Sequence, residues 1–362
     1  MHSTLAPASS VLFYDPVCQK PYDTDTVHRA AAGGTEASVT RIADALGALV
    51  MQHNRTQANG RYLPPQKIAG VTHVIVNRDS RGLRRVRELF PEARVHLWVH
   101  HHFPLGSKLF LRFASTVSFL KEMAVTIVCV SNQQRHELDA LLRLLDLQER
   151  VTSCTIYNPV DDQLAPDSTA IDDGKLAFFS SPNKGLKFTL DAFRELRRRM
   201  PDLRLVVGNP GYKVREYPPI EGVEYLGPLP QSQIHVQVRS ALCLFFPNFV
   251  YPETFGLVLA ESKALGTPCL TSDCGAAAEI LADPRQVLPV APAEILYEDL
   301  FNKLNAGWRR VPARLAARAG LFDRYVERIR AWRAGERPVV GPDPRFKLST
   351  VAGQWRGLLS RE

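Results

Sequence analysis

Two glutamates that flank a short apolar helix are the residues of this sequence best suited to chemistry on a ligand. Glu253 and Glu261 are separated by seven residues, in a run that opens with Phe255-Gly256 and closes with Gly266 and a proline. A glycine followed by proline is typical of a helix end, so the pattern predicts a helix with an acid just before it and another along it. The start of such a helix would hold a diphosphate without any metal, and Glu261 would accept hydrogen bonds from two ribose hydroxyls.

The spacing of the two acids is also typical of an ordinary amphipathic helix with two surface glutamates, so the neighbouring elements decide the interpretation. A buried strand is predicted at 241–246, before Glu253, and a second short strand at 268–271, after the helix. A loop of small residues follows at 272–279. The order strand, acidic loop, helix, strand and small-residue loop predicts a ligand site at the edge of a sheet.

This order resembles the donor site of retaining GT-B glycosyltransferases, the large family (family 4-like, group 1) that includes bacterial sucrose, mannosyl and lipopolysaccharide transferases. The family pattern is Pro-x(n)-Glu-x-Phe-Gly-Leu-x-x-x-Glu-(Ala/Ser)-x-Ala-x-Gly-x-Pro, and residues 253–268 match it nearly throughout. The resemblance covers most of the chain, is strong for 175–280 and is weaker in the N-terminal half. It implies transfer of a sugar from a nucleoside diphosphate sugar, with retention and without a metal or other cofactor.

The resemblance implies a role for each matching residue. Glu253 would meet the sugar hydroxyls, and Glu261 would hold the ribose. The donor would also contact Thr254, Phe255, Gly256 and Leu257 through their backbone, Gly208 and Leu226 near the base, and Gly33 and Gly34 near the phosphates and the acceptor. Plain strand ends at Gly208 and Leu226 and a plain loop at Gly33-Gly34 are equally open interpretations.

The turn at 180–186 supplies a candidate cation. It lies between a predicted strand and the next helix, so Lys184 is expected to point toward the ligand crevice. A departing diphosphate carries charge that cations or dipoles must meet. The resembled family commonly has Gly-Arg, a short spacer and Lys-Gly at this place, whereas this sequence keeps Lys-Gly and has no arginine in the segment. Lys184, helped by Lys187 and the helix start at 254–257, is therefore expected to take this role; a surface lysine before a helix is the alternative.

Three consecutive histidines, His100 to His102, follow a predicted strand at 95–99. They cannot all face one ion and no acidic partner lies at ligand spacing, so a zinc site is not expected. A histidine at a strand end beside a cleft suits a hydrogen bond to a sugar hydroxyl. The resembled family carries a functional histidine there, often as His-Asp, which implies His100 first and His101 second. The aspartate is absent here, so the register stays open.

Strand-like apolar runs alternate with helical patterns along the whole chain, which predicts two successive α/β halves with parallel sheets. The resemblance implies a GT-B fold of two facing Rossmann-like domains. The expected domains are residues 1–162 on the acceptor side and 163–338 for the nucleotide sugar, and a C-terminal helix within 339–362 is expected to return to the first domain. A polar segment at 161–174 is expected to link the two domains.

Composition limits the class of protein. The chain has 362 residues, 45% of them hydrophobic, and a net charge of +8. Much of the positive charge lies in 78–94 and 308–337, which predicts solvated helix faces, with attraction to anionic lipid headgroups as the alternative. The six cysteines are scattered and are expected to be buried thiols. No signal peptide or apolar span is evident, so the chain is expected in the cytoplasm, with peripheral contact at the inner face of the membrane left open.

The resemblance therefore implies a retaining glycosyltransferase that acts on a saccharide or lipid-linked acceptor in cell-surface polysaccharide or lipopolysaccharide synthesis, and no nucleic-acid partner is expected. Front-face attack by the acceptor hydroxyl, assisted by the departing diphosphate, is the expected mechanism. Two alternatives stay open. A sugar-nucleotide epimerase of the same fold would convert a sugar without an acceptor, and a non-catalytic partner subunit would neither hydrolyse nor transfer the donor.

Overall fold

The computed structural model describes residues 10–30, 33–209, 218–248, 251–290 and 312–360. Within these residues the chain divides into two compact units. Unit 1 contains the N-terminal residues up to Val27, Gly33–Asp162 and the C-terminal segment from Pro344, and unit 2 is mainly Gln163–Asp343. The last segment of the chain therefore belongs to the same unit as the first.

Unit 1 is built on a seven-stranded parallel sheet with the order β3-β2-β1-β4-β5-β6-β7. The strands are β1 (Val11–Asp15), β2 (Leu49–Gln52), β3 (Tyr62–Leu63), β4 (His73–Asn77), β5 (Arg94–Val99), β6 (Thr126–Cys129) and β7 (Thr152–Thr155). The helices are α1 (Thr24–Arg29), α2 (Gly34–Leu46), α3 (Gly82–Leu89), α4 (Lys108–Ala114), α5 (Val117–Glu122) and α6 (Asn132–Leu144). The central strands are short runs rich in valine, isoleucine and leucine, because both faces of a parallel sheet are covered.

Unit 2 is built on a six-stranded parallel sheet with the order β10-β9-β8-β11-β12-β13. The strands are β8 (Asp172–Phe179), β9 (Arg204–Asn209), β10 (Val223–Pro228), β11 (Ala241–Phe246), β12 (Cys269–Ser272) and β13 (Val287–Leu288). The helices are α7 (Leu186–Arg199), α8 (Gln231–Arg239), α9 (Leu257–Ala264), α10 (Ala277–Leu281) and α11 (Pro312–Ala331). Every residue of β11 is buried, as expected for the centre of such a sheet.

The C-terminal helix α12 (Leu348–Leu359) packs within unit 1. Its Trp355 is fully buried, with ring centroids 5.2 Å from Trp98 of β5 and 5.9 Å from Phe13 of β1. Arg356 donates a hydrogen bond of 2.8 Å to the carbonyl of Ala45 in α2. Burial of an indole against two aromatic rings favours this docking through both buried apolar area and ring geometry.

Both sheets have a topological switch point at their first strand. In unit 1, β1 lies between β2 and β4, and in unit 2, β8 lies between β9 and β11. The chain adds two strands on one side of the first strand and then crosses to the other side, which opens a crevice beyond the carboxyl ends of the strands. Gly33 and Gly34 lie in the connection after β1, Lys184 in that after β8, and Glu253 in that after β11.

The predicted fold class, two successive parallel α/β units with a C-terminal helix on the first, is confirmed. The segment expected to be a linker through 174 already enters β8 at Asp172. The cysteines are all free, but Cys154 and Cys274 are half-buried instead of buried. None of the helices that the structure describes is long and apolar enough to cross a membrane.

Candidate functional site

Lys184 lies in the tight turn between β8 and α7. Its N–H donates to the carbonyl of Ser181 at 2.9 Å, and the next residue, Gly185, caps α7 with a φ of 93°. A β-carbon on Gly185 would lie 3.4 Å from Oδ1 of Asn248, which follows β11. A side chain at position 185 would be strained by the left-handed backbone, so glycine is favoured there. The turn thus holds Lys184 at the switch point of unit 2.

Glu253 is fixed through its backbone by the loop that follows β12. Its carbonyl accepts a 2.8 Å hydrogen bond from the N–H of Ala276, and it pairs with Gly275 as an isolated parallel bridge. Gly275 has a φ of 67°, and a β-carbon on it would lie 2.4 Å from the carbonyl oxygen of Glu253. Only glycine permits this close approach, so Gly275 sets the position of Glu253.

Only one of the two carboxylate oxygens of Glu253 accepts a hydrogen bond from the part of the chain that the structure describes. Its Oε2 accepts from Nζ of Lys184 at 2.9 Å, while its Oε1 is buried and has no hydrogen-bond partner among the described residues. The side chain of Glu253 is 7% exposed and that of Lys184 is 40% exposed. An ionised carboxylate oxygen that is buried without a donor is costly, so a ligand hydroxyl at Oε1 would be stabilised.

Helix α9 begins two residues after Phe255. Gly256 caps it with a φ of 84°, and its carbonyl accepts from the N–H groups of Leu259 and Ala260. Phe255 is 1% exposed, so its side chain belongs to the core and only its backbone could meet a ligand. The first N–H groups of any helix have no partner within the helix and carry partial positive charge. Thr254 to Leu257 therefore bring a helix start next to Glu253, as the sequence predicts.

Glu261 lies in the middle of α9 and contacts a second helix start. Its Oε1 accepts a hydrogen bond of 2.5 Å from Nε2 of Gln231, the first residue of α8. Gln231 follows β10, so the hydrogen bond joins two neighbouring connections of unit 2. The sequence did not single out Gln231. The ribose role of Glu261 stays a prediction.

Gly208 and Leu226 lie near the carboxyl ends of β9 and β10, with Gly208 paired to Gly227. A β-carbon on Gly208 would lie 2.6 Å from the ring of Phe179, so packing inside the sheet already requires glycine at 208. Leu226 is half-buried. The segment 210–217, which follows β9, lies outside the described residues, and contact of this edge with a base stays a prediction.

Gly33 and Gly34 stand at the start of α2 in unit 1. Gly33 caps the helix with φ −71° and ψ 151°, a conformation that any residue adopts, and its carbonyl accepts from the N–H of Ala37 at 3.0 Å. Backbone conformation therefore does not require a glycine at 33. Close approach of a ligand at Gly33 and Gly34 stays a prediction, and a plain loop is the alternative.

His100 and His101 follow β5, and both are held neutral. The ring of His100 lies 4.5 Å from that of Trp98, and burial, followed by the charge of Arg78, holds the pKa of His100 well below its ordinary value. Burial lowers the pKa of His101 to about 4, with Arg78 adding to the effect and Asp79 opposing it. At neutral pH these imidazoles can donate or accept a hydrogen bond without carrying charge.

His102 pairs with Glu137 of α6 through Nδ1 and Oε2 at 2.5 Å. Hydrogen bonding and charge from His102 lower the pKa of Glu137, although burial, the largest influence, acts to raise it. Nε2 of His102 is buried without a hydrogen-bond partner among the described residues. The sequence left open which of the three histidines would face a ligand. In the structure His102 is the one that pairs with a side chain of α6.

An ionic cluster that the sequence did not predict lies at the switch point of unit 1. Arg78, directly after β4, donates to both carboxylate oxygens of Asp15, at 2.8 and 3.1 Å, and to Oε1 of Glu36 in the first turn of α2, at 3.1 Å. Arg78 has a φ of 68°, a strained conformation for a side chain of this size. Burial by itself would lower the pKa of Arg78, but Asp15 and Glu36 raise it above the ordinary value. The guanidinium thus ties β1, β4 and the glycine-rich helix start together.

Three or more histidine, cysteine, aspartate or glutamate side chains do not come together as a metal site anywhere in the described ranges.

Residues 168–299 match the family model described as "Glycosyl transferases group 1". A phosphatidyl-myo-inositol mannosyltransferase of Mycobacterium leprae is 30% identical over 112 residues, which are 30% of this chain and 30% of that protein. A D-inositol 3-phosphate glycosyltransferase of Frankia alni is 32% identical over 171 residues, 41% of this chain and 40% of that protein. The chain therefore matches less than half the length of these relatives.

Solved structures resemble the whole chain. HepE of Anabaena, in a complex with UDP, superposes with a TM-score of 0.61 at 16% identity and covers 97% of this chain and 99% of that one. Sucrose-phosphate synthase from Thermosynechococcus elongatus superposes with a TM-score of 0.59 at 15% identity, covering 96% and 98%. At these identities the likeness establishes the fold alone.

Proposed function

We propose that this chain, which carries a glycosyl transferases group 1 domain and has the GT-B fold, is a retaining glycosyltransferase. The donor is a nucleoside diphosphate sugar, bound in unit 2. The acceptor is a hydroxyl of a saccharide or of a lipid-linked molecule, in the synthesis of cell-surface polysaccharide or lipopolysaccharide. The names of the glycosyltransferase relatives, and UDP in the complex of HepE, support the donor class.

One observation carries the proposal: the buried carboxylate of Glu253 offers Oε1 without a partner among the described residues, beside the ammonium of Lys184 and before the start of α9. A sugar hydroxyl supplies the missing donor to Oε1. The diphosphate brings negative charge, which Lys184 and the helix start can meet. A nucleoside diphosphate sugar contains both groups in one molecule.

The reaction proposed here needs no group beyond donor and acceptor. The bond between the anomeric carbon and the diphosphate oxygen breaks, and the acceptor oxygen bonds to the same face of that carbon. The acceptor proton passes to the departing diphosphate, whose charge rises as the bond breaks. Lys184 stabilises this charge more in the transition state than in the bound donor, so it contributes to rate.

The test begins with binding. Thermal shifts of the purified chain with a panel of nucleoside diphosphates and their sugars identify the base and the sugar. The best donor is then incubated with and without saccharide and lipid-linked acceptors, in the presence and absence of EDTA. We expect transfer with the anomeric configuration of the donor kept, at a rate that EDTA leaves unchanged.

The other outcomes separate the alternatives. Conversion of the donor sugar without an acceptor would identify an epimerase. Binding without hydrolysis or transfer would identify a non-catalytic subunit. A strict need for added manganese or magnesium would contradict the proposed use of Lys184 and the helix start in place of a metal.

A further inference from the structure

A stretch without any acidic residue follows the three consecutive histidines, His100 to His102, of unit 1. Residues 103–120 contain no aspartate or glutamate, and their charged residues are Lys108 and Arg112. The stretch includes part of the connection from β5, the whole of α4, and α5 up to Leu120, before the acidic end of that helix at Glu122. It therefore combines positive charge with apolar side chains directly beside His100 and His101.

The face that α4 turns to solvent is itself partly apolar. Ser107 caps the helix by accepting from the N–H of Phe110, and Phe113 on the inner face is 1% exposed. Lys108, Leu111 and Arg112 have the spacing i, i+3 and i+4, so they share the outer face, where all three are exposed. Leu111 is 59% exposed, and Leu105, just before the helix, is 69% exposed. The solvent face of an ordinary amphipathic helix is polar, whereas this face carries an exposed leucine between two cations.

The two cations of α4 are available, whereas those of α3 are engaged. Neither Lys108 nor Arg112 forms an ion pair in the part of the chain that the structure describes. In α3, by contrast, each of the arginines that the sequence associates with lipid has a partner: Arg85 pairs with Glu88 at 2.9 Å, Arg87 with Glu122 at 2.6 Å, and Arg84 lies over the ring of Phe119.

One acidic group near α4 does not change this conclusion. Arg112 is among the charges that lower the pKa of Asp79, although burial, the largest influence on that group, acts to raise it. Asp79 itself is held by Arg81 at 2.7 Å. The outer face of α4 therefore keeps its positive charge.

We infer that the segment 105–112 docks on an anionic lipid surface. Leu105 and Leu111 enter the boundary of the acyl chains, while Lys108 and Arg112 meet lipid phosphates. Charge complementarity favours this partner over a neutral one. Docking here would bring the hydroxyl of a lipid-linked acceptor close to His100 and His101; that consequence rests on the proposed function, and the docking itself does not.

Flotation of the full chain with vesicles tests the inference. Binding is expected to vesicles of phosphatidylcholine with phosphatidylglycerol, to be absent with phosphatidylcholine alone, and to fall as salt rises. Lys108→Gln with Arg112→Gln should weaken binding roughly 25-fold, from about fivefold for each cation. Leu105→Ser with Leu111→Ser should weaken it by on the order of 100-fold, from the apolar burial that is lost.

Two matched variants serve as controls. Leu144 of α6 is 63% exposed, and Leu144→Ser should leave vesicle binding unchanged. The triple change of Arg84, Arg85 and Arg87 to glutamine should likewise weaken binding only slightly. All variants should keep the nucleotide affinity of the native chain, which shows that they fold.

Three results would overturn the inference: no vesicle binding even at low salt, a loss of binding in the α3 variant as large as in the α4 variants, or a loss in Leu144→Ser. A native dimer that Leu105→Ser with Leu111→Ser dissociates would instead assign the face to a second copy of this chain. Vesicle binding without any transferase activity would remove the proposed function and leave the docking surface.

Discussion

Each unit has an ion pair at the switch point of its sheet, and the two pairs differ in how fully their carboxylates are satisfied. Asp15 in unit 1 is 1% exposed. Its two oxygens accept hydrogen bonds from Arg78, Asn77, Tyr22 and the N–H of Val17. The acceptor capacity of this carboxylate is filled within the protein. The pair thus holds β1, β4 and α2 together and leaves Asp15 no capacity for a ligand.

Glu253 in unit 2 is also buried, but within the described ranges only one of its oxygens accepts a hydrogen bond, from Lys184. The partly exposed Lys184 can turn toward a bound group, whereas the guanidinium of Arg78 is fixed between two carboxylates. The same sheet topology therefore supports an ion pair that acts as scaffold in one unit and an ion pair that can bind a ligand in the other. The difference lies in how many donors surround the acid.

The largest expected effect is on stability in unit 1. Asp15→Asn should lower the free energy of unfolding by roughly 3–5 kcal/mol, because Arg78, whose side chain is only 20% exposed, would keep much of its charge uncompensated. Urea denaturation measures this. Glu36→Gln removes the other, more exposed partner of the same guanidinium and should cost about 1 kcal/mol. Equal losses in both variants would show that Asp15 is not the scaffold of the cluster.

Unlike Asp15→Asn, Glu253→Gln should change the free energy of unfolding little and lower the activity strongly. We expect kcat/KM for transfer to fall about 100- to 1,000-fold, since a charged acceptor for the donor sugar is lost. Glu195→Gln in α7, whose carboxylate pairs with Arg198 and Arg199, is the matched control and should keep full activity. A stable Glu253→Gln variant with native kinetics would remove Glu253 from the site.

Lys184→Ala should separate binding from turnover. The charge on the diphosphate grows as the sugar leaves, so kcat should fall roughly 10- to 100-fold while the affinity for the intact donor falls less. Calorimetry and steady-state kinetics measure the two quantities. Lys67→Ala, at an exposed lysine of unit 1, should change neither. If affinity and turnover fall by the same factor, Lys184 contributes to ground-state binding alone.

Glu261→Ala should weaken binding of the bare nucleoside diphosphate by about 1.5–3 kcal/mol, because charge-assisted hydrogen bonds to the ribose are lost. Gln231→Ala should weaken it less, since Gln231 donates a hydrogen bond to the carboxylate of Glu261 and would act on the nucleotide through that carboxylate. Calorimetry compares both with Glu224→Gln on β10, an exposed glutamate that should be neutral. Native affinity of the Glu261 variant would exclude the ribose role.

The smallest expected effect is a pH dependence confined to unit 1. Burial, with smaller contributions from His73 and Arg94, lowers the pKa of His96 to about 4. The unfolded chain therefore binds this proton first as the pH falls below about 6.5. Stability should be lost between pH 6.5 and pH 4, by up to about 2 kcal/mol from His96 at pH 5, and change no further below that window.

Urea denaturation at pH 7 and pH 5 measures this dependence. His96→Phe should reduce it, while His136→Phe, at an exposed histidine of α6, should not. A pH dependence that both variants keep would assign the effect to other groups.

The sequence predicted the residues of the ion pair in unit 2, Lys184 and Glu253, but not those of the ion pair in unit 1, Arg78 and Asp15. The strand β11 and the second half of β8 are apolar runs that precede turn residues, and Glu253 and Lys184 stand in the loops that follow them. The strands β3 and β13 have two residues each, too few for any periodicity, and were missed. Arg78 was counted only as part of a basic stretch, because nothing in its neighbours along the chain indicates that it contacts Asp15, 63 residues away.

By itself the sequence determined two α/β units, the helix start at 254–257, and the two residues that form the ion pair of unit 2. These follow from patterns of a few residues, which local backbone preferences and hydrophobic burial convert into structure. The tertiary structure alone decided that Gly275 admits the backbone of Glu253, that Oε1 of Glu253 is left without a partner, and that Asp15 is saturated. Hydrogen-bond satisfaction depends on which strand ends become neighbours in the sheet, and contacts between residues distant in sequence set that order.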